Sequence, residues 1–221
     1  MYELGWRRVG WLVLRTSNIF RAVFGDAEMM TRVRPVLARQ LLRYDTYDQP
    51  LDYIKAVFGP RNAYGNPRHP VSYYLYGIAG APYVNLNDPE TKRDDLTVDQ
   101  VFASMQTYAD TYVYPAMKWL TAKAAANGIV PLGYEAGQHL LPKQGSAAAK
   151  LAAQMDPRMG TLTLAILDHW KAAGGGTLNY YTICSAWGAY GYWGLSTDIT
   201  SEATPKWDAV KRLVRATPRV R

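Results

Sequence analysis

Of the five glutamates in the 221-residue sequence, Glu135 alone stands where a carboxylate is positioned for chemistry. It lies in "VPLGYEAGQHLLP", residues 130–142, at the end of a short apolar run, whereas Glu3, Glu28, Glu90 and Glu202 fall in stretches that read as helices or turns. In parallel α/β folds the loops after the strands gather functional side chains at the carboxyl face. A strand-end glutamate can therefore serve there as a nucleophile or exchange a proton, although a solvated loop charge suits the same position. Gln40 ends the first predicted strand, Tyr83 the second, and Trp187 lies just past the fourth. An amide, a phenol, a carboxylate and an indole would then share one rim. Amides and carboxylates hydrogen-bond sugar hydroxyls, and aromatic faces stack on the C–H face of a pyranose; core packing is the competing role for Tyr83 and Trp187. Gln138 and His139 follow Glu135 closely enough to touch a substrate or tune the carboxylate, and an exposed structural histidine fits equally well.

The elements that would hold these residues alternate between strand and helix. Loose helical spacing runs from residue 5 to 24 and stops at Gly25. "RVRPVLARQ" reads as a buried strand with Pro35 near its start, and residues 41–70 as a long excursion with a brief helical pattern at "PLDYIKAVFG". A second strand is expected around Tyr76–Ala81. From Thr97 a Thr-x-x-Gln capping box opens a long helix, bent at Pro115 and stopped by Asn127-Gly128. "IVPLGY" gives a third strand, "DPRMGTLTLAILDHWKAAGGG" a helix, "TLNYYTIC" a fourth strand and "PKWDAVKRLVRA" a closing helix. This alternation predicts a parallel α/β architecture and leaves an open sheet and part of a barrel as alternatives.

Composition narrows the function classes. With 48% hydrophobic and 19% charged residues, and 7 Trp and 17 Tyr, the chain reads as folded rather than disordered. Cys184 is the only cysteine, which excludes an intrachain disulfide and a multi-cysteine metal site. The net charge of +7 gathers partly at the ends, in "GWRRVGW" and "VKRLVRATPRVR". Without an interleaved recognition motif these basic segments read as solvated faces, not as a nucleic-acid or membrane surface. No stretch reaches the roughly 18 apolar residues of a membrane span, and the N-terminus does not read as an export signal. No glycine-rich phosphate loop follows a predicted strand, so a nucleotide cofactor is not expected.

The segments "RVRPVLARQ", "GIAGAPY", "PLGYEAGQHL", "LDHWKAAGGGTLNYYTICS" and "WGAYGYWGL" together resemble the second half of a clan A glycoside hydrolase barrel. In particular they are similar to bacterial proteins labelled cellulose-binding or glycosidase that carry a Tyr-Glu-Gly-Gly-Gln-His segment. The likeness covers most of residues 30–215, with Ala136 replacing one glycine of its strongest motif, "YEAGQH". It implies a single partial TIM-barrel domain: a helical segment over residues 1–29, then four β/α units over 30–217, equivalent to the fifth to eighth of eight. It further implies that Glu135 corresponds to the catalytic nucleophile, that Tyr83 hydrogen-bonds it, and that Trp187 belongs to the sugar platform. Tyr134 and Gln138 would orient the nucleophile or substrate. The implied reaction is retaining hydrolysis of a polysaccharide or oligosaccharide, with no metal or organic cofactor.

The sequence departs from that pattern at the second carboxyl group. Retaining enzymes hold two carboxyls about 5–5.5 Å apart. The clan's acid/base glutamate usually follows an asparagine, and no Asn-Glu dipeptide occurs here. Asp45, Asp48 and Asp88 are rim-loop substitutes that spacing does not separate. The expectation is a fragment, inactive alone, of a longer enzyme whose full-length relatives are secreted; the chain itself does not fix a compartment. The missing half, or self-association, would cover the exposed sheet edges. The competing classes are a degenerate barrel that binds carbohydrate without cleaving it, and a structural α/β domain with its aromatics packed inside.

Overall fold

Short apolar runs bounded by Pro and Gly form the strands, and longer segments with apolar residues at helical spacing form the helices between them. A computed structural model describes residues 2–59, 65, 68–200 and 203–216. Along the chain these form α1 (Tyr2–Phe24), a 3₁₀ turn (Asp26–Glu28), β1 (Val36–Ala38), α2 (Asp45–Phe58), α3 (Val71–Tyr74), β2 (Gly77–Gly80) and β3 (Tyr83–Val84). There follow α4 (Asp88–Thr91), α5 (Val98–Tyr108), a π-helical segment (Ala109–Val113), α6 (Tyr114–Ala126), β4 (Val130–Gly133) and β5 (Gly137–Gln138). A 3₁₀ turn (Pro142–Gln144), α7 (Ala147–Met155), α8 (Pro157–Ala172) and α9 (Pro205–Ala216) complete the order. The class is α/β with parallel strands, as the alternation of elements predicts.

Packing divides the chain, read from its sequence as one domain, into two compact units. The first comprises Met1–Ala81, Ala116–Tyr134 and Ala173–Thr177. Its sheet has the order β1-β2-β4, all parallel, with Leu37 opposite Ile78 and Ile78 opposite Pro131. Parallel neighbours require a crossover, which α2 and α3 supply between β1 and β2. Leu37 and Ile78 are buried with Leu51 and Ile54 of α2 and Met117 and Leu120 of α6, giving this unit its apolar core. Gly77 has no room for a side chain, since a Cβ would lie 2.4 Å from the Val130 carbonyl oxygen.

The second unit comprises Pro82–Pro115, Glu135–Ala172 and Leu178–Arg221. It contains the two-stranded parallel sheet β3-β5 and the helices α4, α5, α7, α8 and α9. The capping box at Thr97 forms: its hydroxyl accepts from Gln100 N–H, and the Gln100 amide oxygen accepts from Thr97 N–H. The expected bend near Pro115 takes the form of the π-helical turn directly ahead of it, where proline removes a backbone donor.

The predicted fourth strand, "TLNYYTIC", does not form. Gly176 N–H donates to the Pro131 carbonyl and Gly133 N–H to the Thr177 carbonyl, both at 2.9 Å, but the register does not continue as a ladder. Residues 178–200 instead run as turns and isolated bridges, such as Cys184 with Ser196. Alternating apolar residues alone do not make a strand when neither flank offers a full row of partners. The helix around "PLDYIKAVFG" begins earlier than its pattern indicates, at Asp45, and carries Pro50 inside it. Helix α7, in the alanine-rich stretch after Ser146, is an element the sequence reading did not assign. Glu202 lies outside the described residues.

Candidate functional site

Within the second unit, the pairing of β3 with β5 sets the site. Tyr83 lies opposite Gly137 and Val84 opposite Gln138, and His139 N–H extends the pairing by donating to the Val84 carbonyl at 2.7 Å. Gly137 adopts a φ of +143°, and a Cβ there would meet the Tyr180 ring at 3.1 Å. A side chain there would be strained by the backbone angle and would crowd the Tyr180 ring. Ala136, just before it, is fully buried, so the motif accommodates a methyl group at its first small position.

This register brings Tyr83 to the carboxylate. Its hydroxyl donates to Oε2 of half-buried Glu135 at 2.9 Å. The Tyr83 ring tilts against His139 with centroids 5.2 Å apart. His139 Nδ1 accepts a hydrogen bond from Trp193 Nε1 at 3.3 Å, and Trp193 in turn meets Tyr181 edge-on at 5.8 Å. Burial pulls the His139 imidazole below its ordinary pKa, and the nearby Glu135 carboxylate offsets this only in part. With Nδ1 accepting, the proton of the neutral ring belongs on Nε2. Carboxylate, phenol, neutral imidazole and two further aromatic rings thus form one chain of contacts.

Two of the expected contact residues serve other ends. Gln138 is 1% exposed and faces inward: its Nε2 donates to the Tyr192 carbonyl and to Gln154 Oε1, and its Oε1 accepts from Leu140 N–H at 2.8 Å. An amide held on three sides inside the unit shapes the loop rather than lining its surface. Trp187 donates its indole N–H to the Gly194 carbonyl at 3.1 Å and covers the ammonium group of Lys206 at 4.8 Å. The indole in contact with His139 is Trp193, six residues further along the same aromatic-glycine loop.

Lys206 is a component no sequence signal announces, since a lysine directly after a helix-opening proline normally reads as exposed. It is 0% exposed, and its Nζ donates to Gln154 Oε1 at 2.8 Å and the Tyr192 carbonyl at 2.7 Å. Burial pulls its pKa down to about 7.

Gln40 and Tyr134 belong to the first unit. They line one cavity of about 320 Å³, together with Trp6, Arg39, Arg43 and Thr46. Tyr134 reaches this point because its N–H continues the β2-β4 ladder by donating to the Gly80 carbonyl at 3.1 Å. Of the aspartates considered as acid/base partners, Asp45 pairs with Arg43 at 3.6 Å, Asp48 pairs with Lys123 at 2.6 Å, and Asp88 opens α4. Among the described residues no group of three or more His, Cys, Asp or Glu side chains is arranged to hold a metal ion, and no helix is long and apolar enough to cross a membrane. No protein-family model matches the sequence, and no curated protein matches it.

Proposed function

We propose that the chain is part of a glycoside hydrolase-like (β/α) barrel in which Glu135 is the nucleophile of a retaining double displacement. The observation that carries this reading is the 2.9 Å hydrogen bond from the Tyr83 hydroxyl to Glu135 Oε2, in the loop directly after β4. The order β1-β2-β4, each new strand added beside the last in parallel, agrees with a sheet that continues into a cylinder. A preceding set of β/α units would extend it from the β1 edge.

In the first step a Glu135 oxygen forms a bond to the anomeric carbon as the glycosidic C–O bond breaks and its electron pair leaves with the departing oxygen. Tyr83 keeps the other carboxylate oxygen in place, and the neutral His139, fixed by Trp193, offers Nε2–H to a sugar hydroxyl. Water then displaces the sugar from Glu135, giving up a proton to the acid/base carboxyl that first protonated the leaving group. That second carboxyl is assigned to the preceding units, so this chain is expected to form the covalent intermediate but not to turn over.

An activated glycoside with a dinitrophenolate leaving group needs no proton donor and isolates the first step. The expected result is release of about one equivalent of dinitrophenolate, with a glycosyl adduct on Glu135 detected by peptide mass spectrometry and absent from Glu135→Gln. Saccharide binding that survives Glu135→Gln, with no adduct in either protein, would replace this reading with a carbohydrate-binding module built on the His139, Trp193 and Tyr181 rings.

A further inference from the structure

The cavity after β1 contains a cation that meets no carboxylate among the described residues. Arg39 follows β1 directly, and its backbone is fixed at both ends: its N–H donates to the Ala79 carbonyl at 2.9 Å, and its carbonyl accepts from the Tyr47 hydroxyl at 2.6 Å. The guanidinium lies over the Trp6 ring at 4.9 Å, and its buried Nε has no hydrogen-bond acceptor. Among the described residues no carboxylate forms an ion pair with it, whereas Arg43 on the same cavity wall meets Asp45 and Lys123 meets Asp48. Burial lowers the Arg39 pKa, as desolvation of an uncompensated charge requires.

We propose that this cavity binds the carboxylate of an acidic sugar unit, a uronate, with Arg39 as the recognising group. A guanidinium fork matches a carboxylate through two parallel N–H···O bonds, and a ligand that supplies them removes the cost of the unanswered charge. Asp45 meets the charge of Arg43, so of the two cations lining the cavity Arg39 is the one left to a ligand, which suits a monoanion rather than a phosphate dianion. The Gln40 amide and the Tyr134 phenol offer hydrogen bonds to ring hydroxyls, and the Trp6 indole forms an apolar wall. A volume of about 320 Å³ is at the small end of ligand pockets, suited to one sugar unit rather than several. The net charge of +7 would draw an acidic polymer toward the chain. The choice of a sugar rests on the glycoside reading above; the choice of an anion does not.

Calorimetric titration of the full chain with glucuronate, glucose and inorganic phosphate tests the site. Glucuronate is expected to bind, with its affinity reduced at least tenfold in Arg39→Gln and reduced less in Arg39→Lys. Glucose or phosphate binding as tightly as glucuronate would overturn the assignment, as would glucuronate affinity indifferent to both Arg39 variants. Should Arg39→Gln not fold, Arg39→Lys decides: a point charge cannot reproduce the paired hydrogen bonds, so unchanged affinity refutes the site. Glucuronate binding without a Glu135 adduct from the activated glycoside would remove the hydrolase reading and leave this site standing; the converse would remove only this site.

Discussion

The first unit buries hydrocarbon with a few hydroxyls and one amide and keeps Arg39 and Arg43 at the end of a sheet, whereas the second buries lysine ammonium and glutamine amide groups beside its apolar core. In the first, Leu37, Ile78, Leu51 and Leu120 fill the interior while Arg39, Gln40 and Arg43 sit around a cavity after β1. In the second, Gln138, Gln154, Lys150 and Lys206 are essentially inaccessible, and their side chains hold loops that have no ladder of their own. A regular sheet satisfies its backbone internally and needs only apolar contacts to be stable. An irregular loop must borrow donors and acceptors from side chains, and those must then be buried with it.

The contrast can be broken most sharply at the sheet. Ile78→Ala removes a fully buried side chain from the central strand and is expected to destabilise the protein by about 2–5 kcal/mol in chemical denaturation. A loss below about 1 kcal/mol would mean the first unit does not depend on its apolar core.

Lys206 gives the second unit a pH dependence. Its folded pKa of about 7 lies below the ordinary lysine value near 10.4, so between those pH values the unfolded chain holds a proton the folded chain does not. Stability from this group is fully present above about pH 10 and is lost as pH falls toward 7, by up to about 1.4 kcal/mol per pH unit. Denaturation midpoints across that range should rise with pH, and Lys206→Met should flatten the rise; an equal slope in the variant would show that Lys206 is not the source.

Smaller effects sharpen the comparison. Gln138→Ala leaves Leu140 N–H without its acceptor and should cost about 1–3 kcal/mol, measured by thermal unfolding. Tyr83→Phe should leave the fold intact and slow adduct formation at Glu135 by about tenfold, the worth of one hydrogen bond to a charged group. Gln40→Ala, at an exposed position, should change stability by no more than about 0.5 kcal/mol. A larger loss there would indicate that the first unit also relies on its polar side chains.

Legibility in the sequence followed the same division. The strands at Val36, Gly77 and Val130 and the capped helix from Val98 were readable because apolar period, caps and punctuation agree there. The stretch after Thr177 was misread as a strand, because "TLNYYTIC" has strand-like residues but finds only scattered partners. Glu135 and Tyr83 were both singled out as strand-end residues, and the hydrogen bond that joins them is geometry the sequence did not contain. Gln138 was expected beside a ligand because it neighbours Glu135, but its amide turns inward to the Tyr192 carbonyl, Gln154 and Leu140 N–H, partners that proximity along the chain does not reveal. Nothing in local pattern marked Trp193 above Trp187, Lys206 as buried, or Arg39 as unanswered.

By itself, then, the sequence determined the α/β class, the parallel alternation and the isolation of one glutamate at a strand end, because these depend on residue spacing within a dozen positions. Only the tertiary structure decided which phenol meets that glutamate, which amide is consumed in the interior and which arginine meets no carboxylate among the described residues. Those outcomes depend on pairings between residues up to 54 positions apart, such as Gln138 with Tyr192. Hydrogen bonds and charge compensation are settled by distance in space, on which spacing along the chain is silent.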